Sequence, residues 1–126
     1  MREECDTIKP AERENFVERI SAMDLQYEQR MKRILLLVGQ EGASDLHLVV
    51  GSRPMLRVDG KLVPISKEEV LTPTDTQGMA DVLLQQKEKK ELAEEGQTDF
   101  SYNFEDKARF RSNVFLQKGY VSITMR

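Results

Sequence analysis

Three runs of alternating apolar and polar residues near the end of the sequence constrain the fold most strongly. In Asp99–Phe104, Ala108–Leu116 and Tyr120–Met125, apolar side chains recur at nearly every second position, as in half-buried strands. Glu105–Lys107 and Lys118–Gly119 supply the turns between them. Because connections this short join neighbouring antiparallel strands, this region predicts a three-stranded antiparallel sheet.

A second β region lies nearer the middle of the chain. Asp45–Val50 begins with the same alternation and ends as a continuous apolar run that we expect to be buried. Met55–Val58 and Lys61–Val63 flank the dipeptide Asp59-Gly60, which is typical of a tight β-hairpin turn. The sequence therefore predicts two or three further strands here.

The first third of the chain has the spacing of one long amphipathic helix, from Pro10 to about Val38. Its apolar positions recur at steps of three and four and so share one face: Phe16, Ile20, Met23, Tyr27, Met31, Ile34 and Val38. Gly39 and Gly42 supply the stop. Such a helix extends beyond a small domain unless it breaks near Ser21. The stripe either faces the core or packs on another subunit.

The middle of the chain is predicted to be helical again. Thr72 supplies an N-cap and Pro73 suits the first helical position. Val82–Leu84 and Leu92 form the apolar face, and Gly96 ends the region. Strands, a helical region and three more strands predict an α+β fold, an antiparallel sheet with helices on one face. The other face is then available to solvent or to a partner.

Composition excludes several classes of protein. The chain has 126 residues, 39% hydrophobic and 33% charged, which predicts one soluble domain. The longest apolar run, Ile34–Val38, is too short to span a bilayer, and the N-terminus does not resemble a signal peptide. A single cysteine, Cys5, builds no disulfide framework and favours a reducing cytoplasm. A net charge of −3 argues against a general nucleic-acid binder.

Motifs for self-contained chemistry are missing, so we predict that the chain is not a complete enzyme. It has neither a G-x-x-x-x-G-K-[ST] phosphate loop nor a G-x-G-x-x-G turn. Cys5 and His47, the only cysteine and histidine, do not make a zinc site. His47 shares a strand face with Asp45, and we expect a hydrogen-bonded structural role for it rather than catalysis. Asp99 is interpreted as a turn or cap acid rather than a metal ligand.

Two arginines on one predicted strand are the strongest candidates for binding. Because successive side chains on a strand point to opposite faces, Arg109, Arg111 and Asn113 share one face. Phe110 and Val114 take the other. Guanidinium groups side by side repel each other, so we expect a nearby anion to offset that cost.

The anion has two candidate sources. Carboxylates in the preceding turn, Glu105 and Asp106, could form salt bridges. A phosphate is the alternative, because the planar guanidinium fork matches phosphate oxygens in a bidentate way. Aromatic residues nearby also allow base stacking, as in single-strand nucleic-acid binders, although the acidic balance favours core packing for them: Tyr102, Phe104, Phe110 and Phe115.

Four motifs in a fixed order carry a family resemblance. They are Gly42–Leu48, Pro54–Gly60, Thr98–Ser101 and Ala108–Asn113. Together they resemble the N-terminal domain of the type IV pilus retraction and type II/type IV secretion ATPase family, from about Met31 to Arg126.

The resemblance implies a PAS-like domain in residues 31–126, after an N-terminal helical extension in residues 1–30. In the family this domain precedes a RecA-like motor domain with the phosphate loop, and six subunits form a ring. The resemblance further implies that ATP and Mg bind at the junction of the two domains, where Arg109, Arg111 and Arg57 reach the phosphates. Ser112 departs from the family, which usually has an apolar β-branched residue there.

The leading hypothesis is therefore the N-terminal domain of a hexameric ATPase that powers pilus retraction, as in twitching motility, or a related secretion step. We expect no catalytic residue in this chain alone, and a cytoplasmic location. The expected partners are the motor domain of the same or a neighbouring chain and an inner-membrane platform protein, without membrane insertion or nucleic acid. The alternatives are a stand-alone PAS-like sensor or adaptor and, more weakly, a single-strand nucleic-acid binder.

Overall fold

A computed structural model describes the backbone of residues 10–126 and the side chains of residues 25–126. The described residues form three helices and six strands. The helices are α1 (Pro10–Glu41), α2 (Pro73–Leu83) and α3 (Gln86–Glu95). The strands are β1 (Asp45–Leu48), β2 (Met55–Val58), β3 (Lys61–Pro64), β4 (Gln97–Phe104), β5 (Ala108–Gln117) and β6 (Tyr120–Met125).

All six strands form one sheet in the order β3-β2-β1-β6-β5-β4, and every neighbouring pair is antiparallel. Helix α2 packs on β6 and helix α3 on β4, while α1 packs against α2. The predicted α+β fold is therefore confirmed. The last strand along the sequence lies in the interior of the sheet, between β1 and β5.

Strand β1 is shorter than the sequence predicted, since it ends at Leu48 and not at Val50. Val49 is 36% exposed rather than buried. The chain leaves the sheet here through Gly51, whose φ of 86° favours glycine, and whose N–H donates to the carbonyl of Leu71 at 2.9 Å. The apolar run therefore contributes to a turn instead of a buried strand end.

The middle helical region forms two helices instead of one. Leu84 has an extended backbone (φ −85°, ψ 136°), which ends α2. Gln85 then begins α3, where its backbone N–H donates to the Glu88 carboxylate at 3.1 Å in a capping box. Leu83 and Leu84 are both buried, so the break lets consecutive leucines reach the core.

Helix α1 is unbroken, with no interruption near Ser21, and it ends where Gly42 adopts a left-handed φ of 64°. Its core-facing side chains are buried: Met31, Ile34, Leu35 and Val38. The core-facing interpretation of the stripe is confirmed for this part. Phe16, Ile20 and Met23 lie outside the residues whose side chains the structure describes.

A close approach between α1 and α2 depends on a glycine. A Cβ atom at Gly78 would lie only 2.4 Å from ring carbons of Tyr27, so no larger residue fits without movement. The Tyr27 hydroxyl also donates to a carboxylate oxygen of Asp75 at 3.0 Å. Helix α1 is thus attached to the domain from Tyr27 onward, and the division into residues 1–30 and 31–126 stays a prediction.

One buried carboxylate joins α1 to the segment before α2. Glu68 is 7% exposed and accepts hydrogen bonds from Arg30 Nε at 2.8 Å and Arg33 Nη2 at 2.9 Å. Its backbone carbonyl accepts from Arg53 Nε at 3.0 Å. A buried charge is costly unless it is paired, so Glu68 requires these arginines. Because Arg30 and Arg33 belong to α1, the same bonds hold α1 in place against the domain.

The core lies between the helices and one face of the sheet. Its sheet residues are almost fully buried: Leu46, Leu48, Val114, Ile123 and Met125. Ser112 also faces this core with no exposed surface, and its hydroxyl donates to the carbonyl of Phe110 at 3.4 Å. Within the described part of the chain, no helix is both long and apolar enough to cross a membrane.

Candidate functional site

The face of the sheet opposite the helices carries polar and charged side chains. Four of them form a line across neighbouring strands, which we call the charged row: Arg57, Asp45, Arg126 and Arg111. Arg109 lies two residues from Arg111 on β5 and shares its face. The sequence prediction that Arg109, Arg111 and Asn113 share a face, with Phe110 and Val114 buried on the other, agrees with the burial pattern of β5.

Arg109 and Arg111 are both exposed, and neither forms a salt bridge with any side chain that the structure describes. The two candidate acids are engaged elsewhere. Glu105 accepts from Lys32 at 3.0 Å, and this hydrogen bond together with the charges of Lys32 and Lys107 holds the pKa of Glu105 below its ordinary value. The structure therefore does not contain the salt bridges that were one explanation for the paired arginines.

Asp106, the other acid of that turn, accepts a hydrogen bond from Asn103 Nδ2 at 2.9 Å. Both Glu105 and Asp106 have positive φ values, of 49° and 57°. The backbone of this turn therefore determines the direction in which their side chains leave the chain. Among the side chains that the structure describes, none therefore forms a salt bridge with the two exposed guanidinium groups of β5.

Arg126 is a fourth arginine of this face, and it was not among the residues predicted from the sequence. It lies opposite Arg111 on the neighbouring strand, and the two residues exchange backbone hydrogen bonds at 3.0 and 2.9 Å. Such pairs have Cα atoms about 5.5 Å apart, so the two side chains leave the same face of the sheet from neighbouring positions. The alternation that buries Val121, Ile123 and Met125 could have placed it on this face from the sequence alone.

A shallow polar depression separates Arg111 from Arg126. Its lining residues come from three neighbouring strands and their ends: Asp99, Arg111, Ser112, Asn113, Thr124 and Arg126. Asp99 accepts from Asn113 Nδ2 at 2.7 Å, which ties β4 to β5 across the face. Asp99 lies inside β4 and not at its start, so it is a cross-strand hydrogen-bond acceptor rather than a turn or cap acid.

Arg57 occupies the other end of the charged row. Its Nε donates to Asp45 Oδ2 at 3.1 Å, and its Nη1 donates to the carbonyl of Gly60 at 3.1 Å. Three strand spacings, or about 14 Å, separate Arg57 from Arg111 along the row. The structure thus brings Arg109, Arg111 and Arg126 together, while Arg57 already has partners within the domain.

His47 lies between Met55 and Thr124 in the register of the sheet. Its Nε2 atom is buried and has no hydrogen-bond partner among the described residues, so the expected hydrogen-bonded role is not seen for this nitrogen. The described residues also contain no group of three or more potential metal ligands. A divalent metal is therefore not assigned to this face.

The aromatic residues favour core packing over base stacking. Phe104 and Phe110 are 6% and 7% exposed within the hydrophobic core, and Tyr102 packs against the same core. Phe115 alone of the four lies on the open face, where it is partly buried beside Ser122. These four residues therefore do not form the row of exposed rings that a single-strand binder uses, and Tyr120, 49% exposed, is the exposed ring of β6 on this face.

Comparison with known proteins identifies relatives of the domain. The chain is 36% identical over 89 residues, 67% of its length, to the type IV pilus retraction ATPase PilT of Pseudomonas aeruginosa. It is 26% identical over 95 residues, 75% of its length, to the type IV pilus ATPase PilU of the same organism. The chain spans about a quarter of the length of these relatives, 24% and 25% respectively. No protein-family profile matches the sequence.

Solved structures agree with the sequence relatives. A crystal structure of the pilus retraction motor PilT with bound ADP superposes with a TM-score of 0.72 at 35% identity, covering 75% of this chain and 28% of that one. The ATPase DotB of Legionella pneumophila gives 0.64 at 24% identity over 76% of this chain and 27% of that one, which supports the fold alone. About three-quarters of this chain is therefore homologous to the PilT and PilU pilus ATPases and has the fold of the PilT N-terminal domain.

Proposed function

We propose that this chain acts as the N-terminal, PAS-like domain of a hexameric ATPase that powers pilus retraction or a related secretion step. Its part is to contact the phosphates of ATP with Arg109 and Arg111, at the junction with a RecA-like motor domain. Relatives named as pilus ATPases, one of them solved with ADP, support the nucleotide and the process.

The observation that carries the proposal is the pair of exposed arginines on the sheet face that no described helix covers. Neither has an acidic partner among the described residues, and Arg126 adds a third positive charge beside them. A triphosphate supplies both the missing negative charge and the oxygens that guanidinium groups bind in a bidentate way. Arginines that contact a transferring phosphoryl group raise the rate by about 10³–10⁵ in the phosphoryl-transfer enzymes where this is known.

The division of labour follows from the chemistry of the two domains. The sequence has no phosphate loop, and the described residues hold no cluster of carboxylates for a divalent metal. The motor domain would supply both the phosphate loop and the Mg site, and hydrolysis requires the two domains together. A cytoplasmic ring attached to an inner-membrane platform protein through partners is part of the same proposal.

The first test measures the binding of inorganic triphosphate to this chain by calorimetry at low salt. Replacing Arg109 or Arg111 with Ala removes a charge-assisted contact of about 1.5–3 kcal/mol, so each change should weaken binding about tenfold or more. Lys61→Ala is the matched control, because it removes one exposed positive charge from the far edge of the same sheet. An equal loss of triphosphate affinity in Lys61→Ala would mean that net charge alone explains the binding, which would contradict a specific site.

The second test measures ATP hydrolysis. The chain alone should show no turnover, and measurable hydrolysis by it would overturn the proposed division of labour. In the ring assembled with its motor domain, Arg109→Ala and Arg111→Ala should lower turnover by powers of ten while the ring stays assembled. Full turnover in both variants would remove these arginines from the nucleotide site.

A further inference from the structure

Asp45 is the one carboxylate within the charged row, and two arginines share it. Its Oδ2 accepts from Arg57 Nε at 3.1 Å, and its Oδ1 lies 4.0 Å from Arg126 Nε. The Asp45 side chain is 19% exposed, so it is mostly withdrawn from water. The carboxylate therefore lies between Arg57 and Arg126 in the row.

The two arginines are held very differently. Arg57 makes a second hydrogen bond, to the Gly60 carbonyl, and its side chain is 36% exposed. Arg126 is 72% exposed and its ion pair with Asp45 is at the outer limit of such contacts. Long exposed ion pairs are weak and easily exchanged, because water screens them and the side chains are mobile. Asp45 thus has one firm partner and one exchangeable partner.

The net charge of the charged row is consistent with a phosphate taking the place of Asp45 as a counter-ion. Arg57, Arg126 and Arg111 contribute +3 and Asp45 contributes −1, which leaves +2 on four residues in line. A terminal phosphate with a charge near −2 matches this excess. Without the phosphate, Asp45 is the carboxylate that pairs with Arg126, while Asp99 lines the depression beside Arg111 and Arg126.

We infer that Asp45 is a positioning residue that serves as the counter-ion of Arg126 until a phosphate bound beside Arg111 replaces it. Arg57 acts through Asp45, since its two hydrogen bonds keep the carboxylate on its own side of the row. This inference rests on the proposed function, because it assumes that phosphate binds beside Arg111. It also assigns Arg57 an indirect role in place of a phosphate contact.

The inference predicts opposite effects for the two partners. Asp45→Asn removes the competing anion and frees Arg126, so the affinity of the chain for inorganic triphosphate should rise about fivefold. Arg57→Ala leaves Asp45 free to close on Arg126, so the affinity should fall about fivefold. In an Asp45→Asn background, Arg57→Ala should have no further effect, because the residue through which Arg57 acts is gone.

The experiment measures triphosphate affinity for the wild-type chain, both single variants and the double variant. Asp81→Asn is the matched control, since it removes an exposed carboxylate from α2, on the helix side of the sheet. In the wild-type chain, arginine Nε–H signals followed by NMR should show triphosphate shifting Arg111 and Arg126 but not Arg57. This measurement tests the indirect role of Arg57 in the wild-type chain, so it remains informative even if the Asp45→Asn variant fails to fold.

Two kinds of result would overturn the inference while leaving the proposed function intact. One is an equal gain in affinity for Asp45→Asn and Asp81→Asn, which would indicate net charge alone. The other is an unchanged loss for Arg57→Ala in the Asp45→Asn background, or a triphosphate-induced shift at Arg57 Nε, which would make Arg57 a direct phosphate contact. If triphosphate shifts neither Arg111 nor Arg126, the proposed function itself fails.

Discussion

The two faces of the sheet differ in whether their side chains find partners within the domain. The face under the helices is apolar and closed, and residues such as Leu46 and Ile123 have no exposed surface. The opposite face exposes Arg109 and Arg111 with no acidic partner among the described residues. Folding accounts for the side chains of the first face, whereas the exposed arginines of the second are the groups that the proposed phosphate contact would use.

Strand β5 shows the contrast within ten residues, because it contributes to both faces. Its inward side chains, Phe110 and Val114, pack in the core, while Arg109 and Arg111 point away. Core packing fixes the backbone of the strand, and the backbone in turn fixes the spacing of the arginines. A rigid strand is thus a suitable support for a binding pair, since the packing on one side orders the other.

The largest expected effect separates the two faces by stability. Leu46→Ala should lower the free energy of unfolding by about 2–5 kcal/mol, because the side chain is fully buried and leaves a cavity. Arg111→Ala should change it by less than about 0.5 kcal/mol, because its side chain is exposed and has no partner among the described residues. Urea unfolding followed by circular dichroism measures both. A loss above about 1 kcal/mol in Arg111→Ala would show that the open face stabilises the fold.

An intermediate effect tests how closely the closed face is packed. Gly78→Ala places a methyl group where the Tyr27 ring lies, and it should cost about 1–3 kcal/mol in the free energy of unfolding. In a Tyr27→Ala background the same change should cost far less, because the space is then vacant. A double-mutant cycle measures this coupling. Additive effects of the two changes would mean that α1 does not pack against Gly78 in solution.

The smallest effect concerns the charged attachment of α1. Burial raises the pKa of Asp75, but hydrogen bonds from Thr72 and Tyr27 and the charge of Arg30 outweigh it, so its pKa lies below the ordinary value. The ionised Asp75 carboxylate therefore stabilises the folded state above about pH 4, and this stabilisation is lost as the pH falls through the pKa of Asp75 in the folded state. Thermal unfolding between pH 5 and 2 should show a shallower loss of stability for Asp75→Asn than for the wild-type chain. Identical pH profiles for the two proteins would mean that Asp75 does not contribute to the loss of stability at low pH.

The closed face was largely predictable from the sequence, because alternation and short turns determine which residues of β4, β5 and β6 are buried. The break at Leu84 was missed, since a continuous helical pattern does not reveal that two adjacent leucines must both reach the core. Glu68 was missed because its partners are 35 and 38 residues away in the sequence.

The open face was predictable in part. Strand parity placed Arg109 and Arg111 together, and the same reasoning applied to β6 would have added Arg126. The sharing of Asp45 by two arginines depends on strand order, which local patterns do not specify. The phosphate-contacting role itself stays a prediction, which rests on family resemblance first and on strand geometry second.

The interior position of β6 also sets the order in which the domain can fold. This strand is made after the other five, yet it joins β1 to β5. Pairs such as Leu46 with Met125 are far apart along the chain, and long-range contacts of this kind slow folding. Until β6 emerges during synthesis, the other strands can therefore form only two separate units, the three strands β1–β3 and the hairpin of β4 and β5, each with unpaired edges. A chaperone that binds exposed strand edges would have its longest opportunity in that interval.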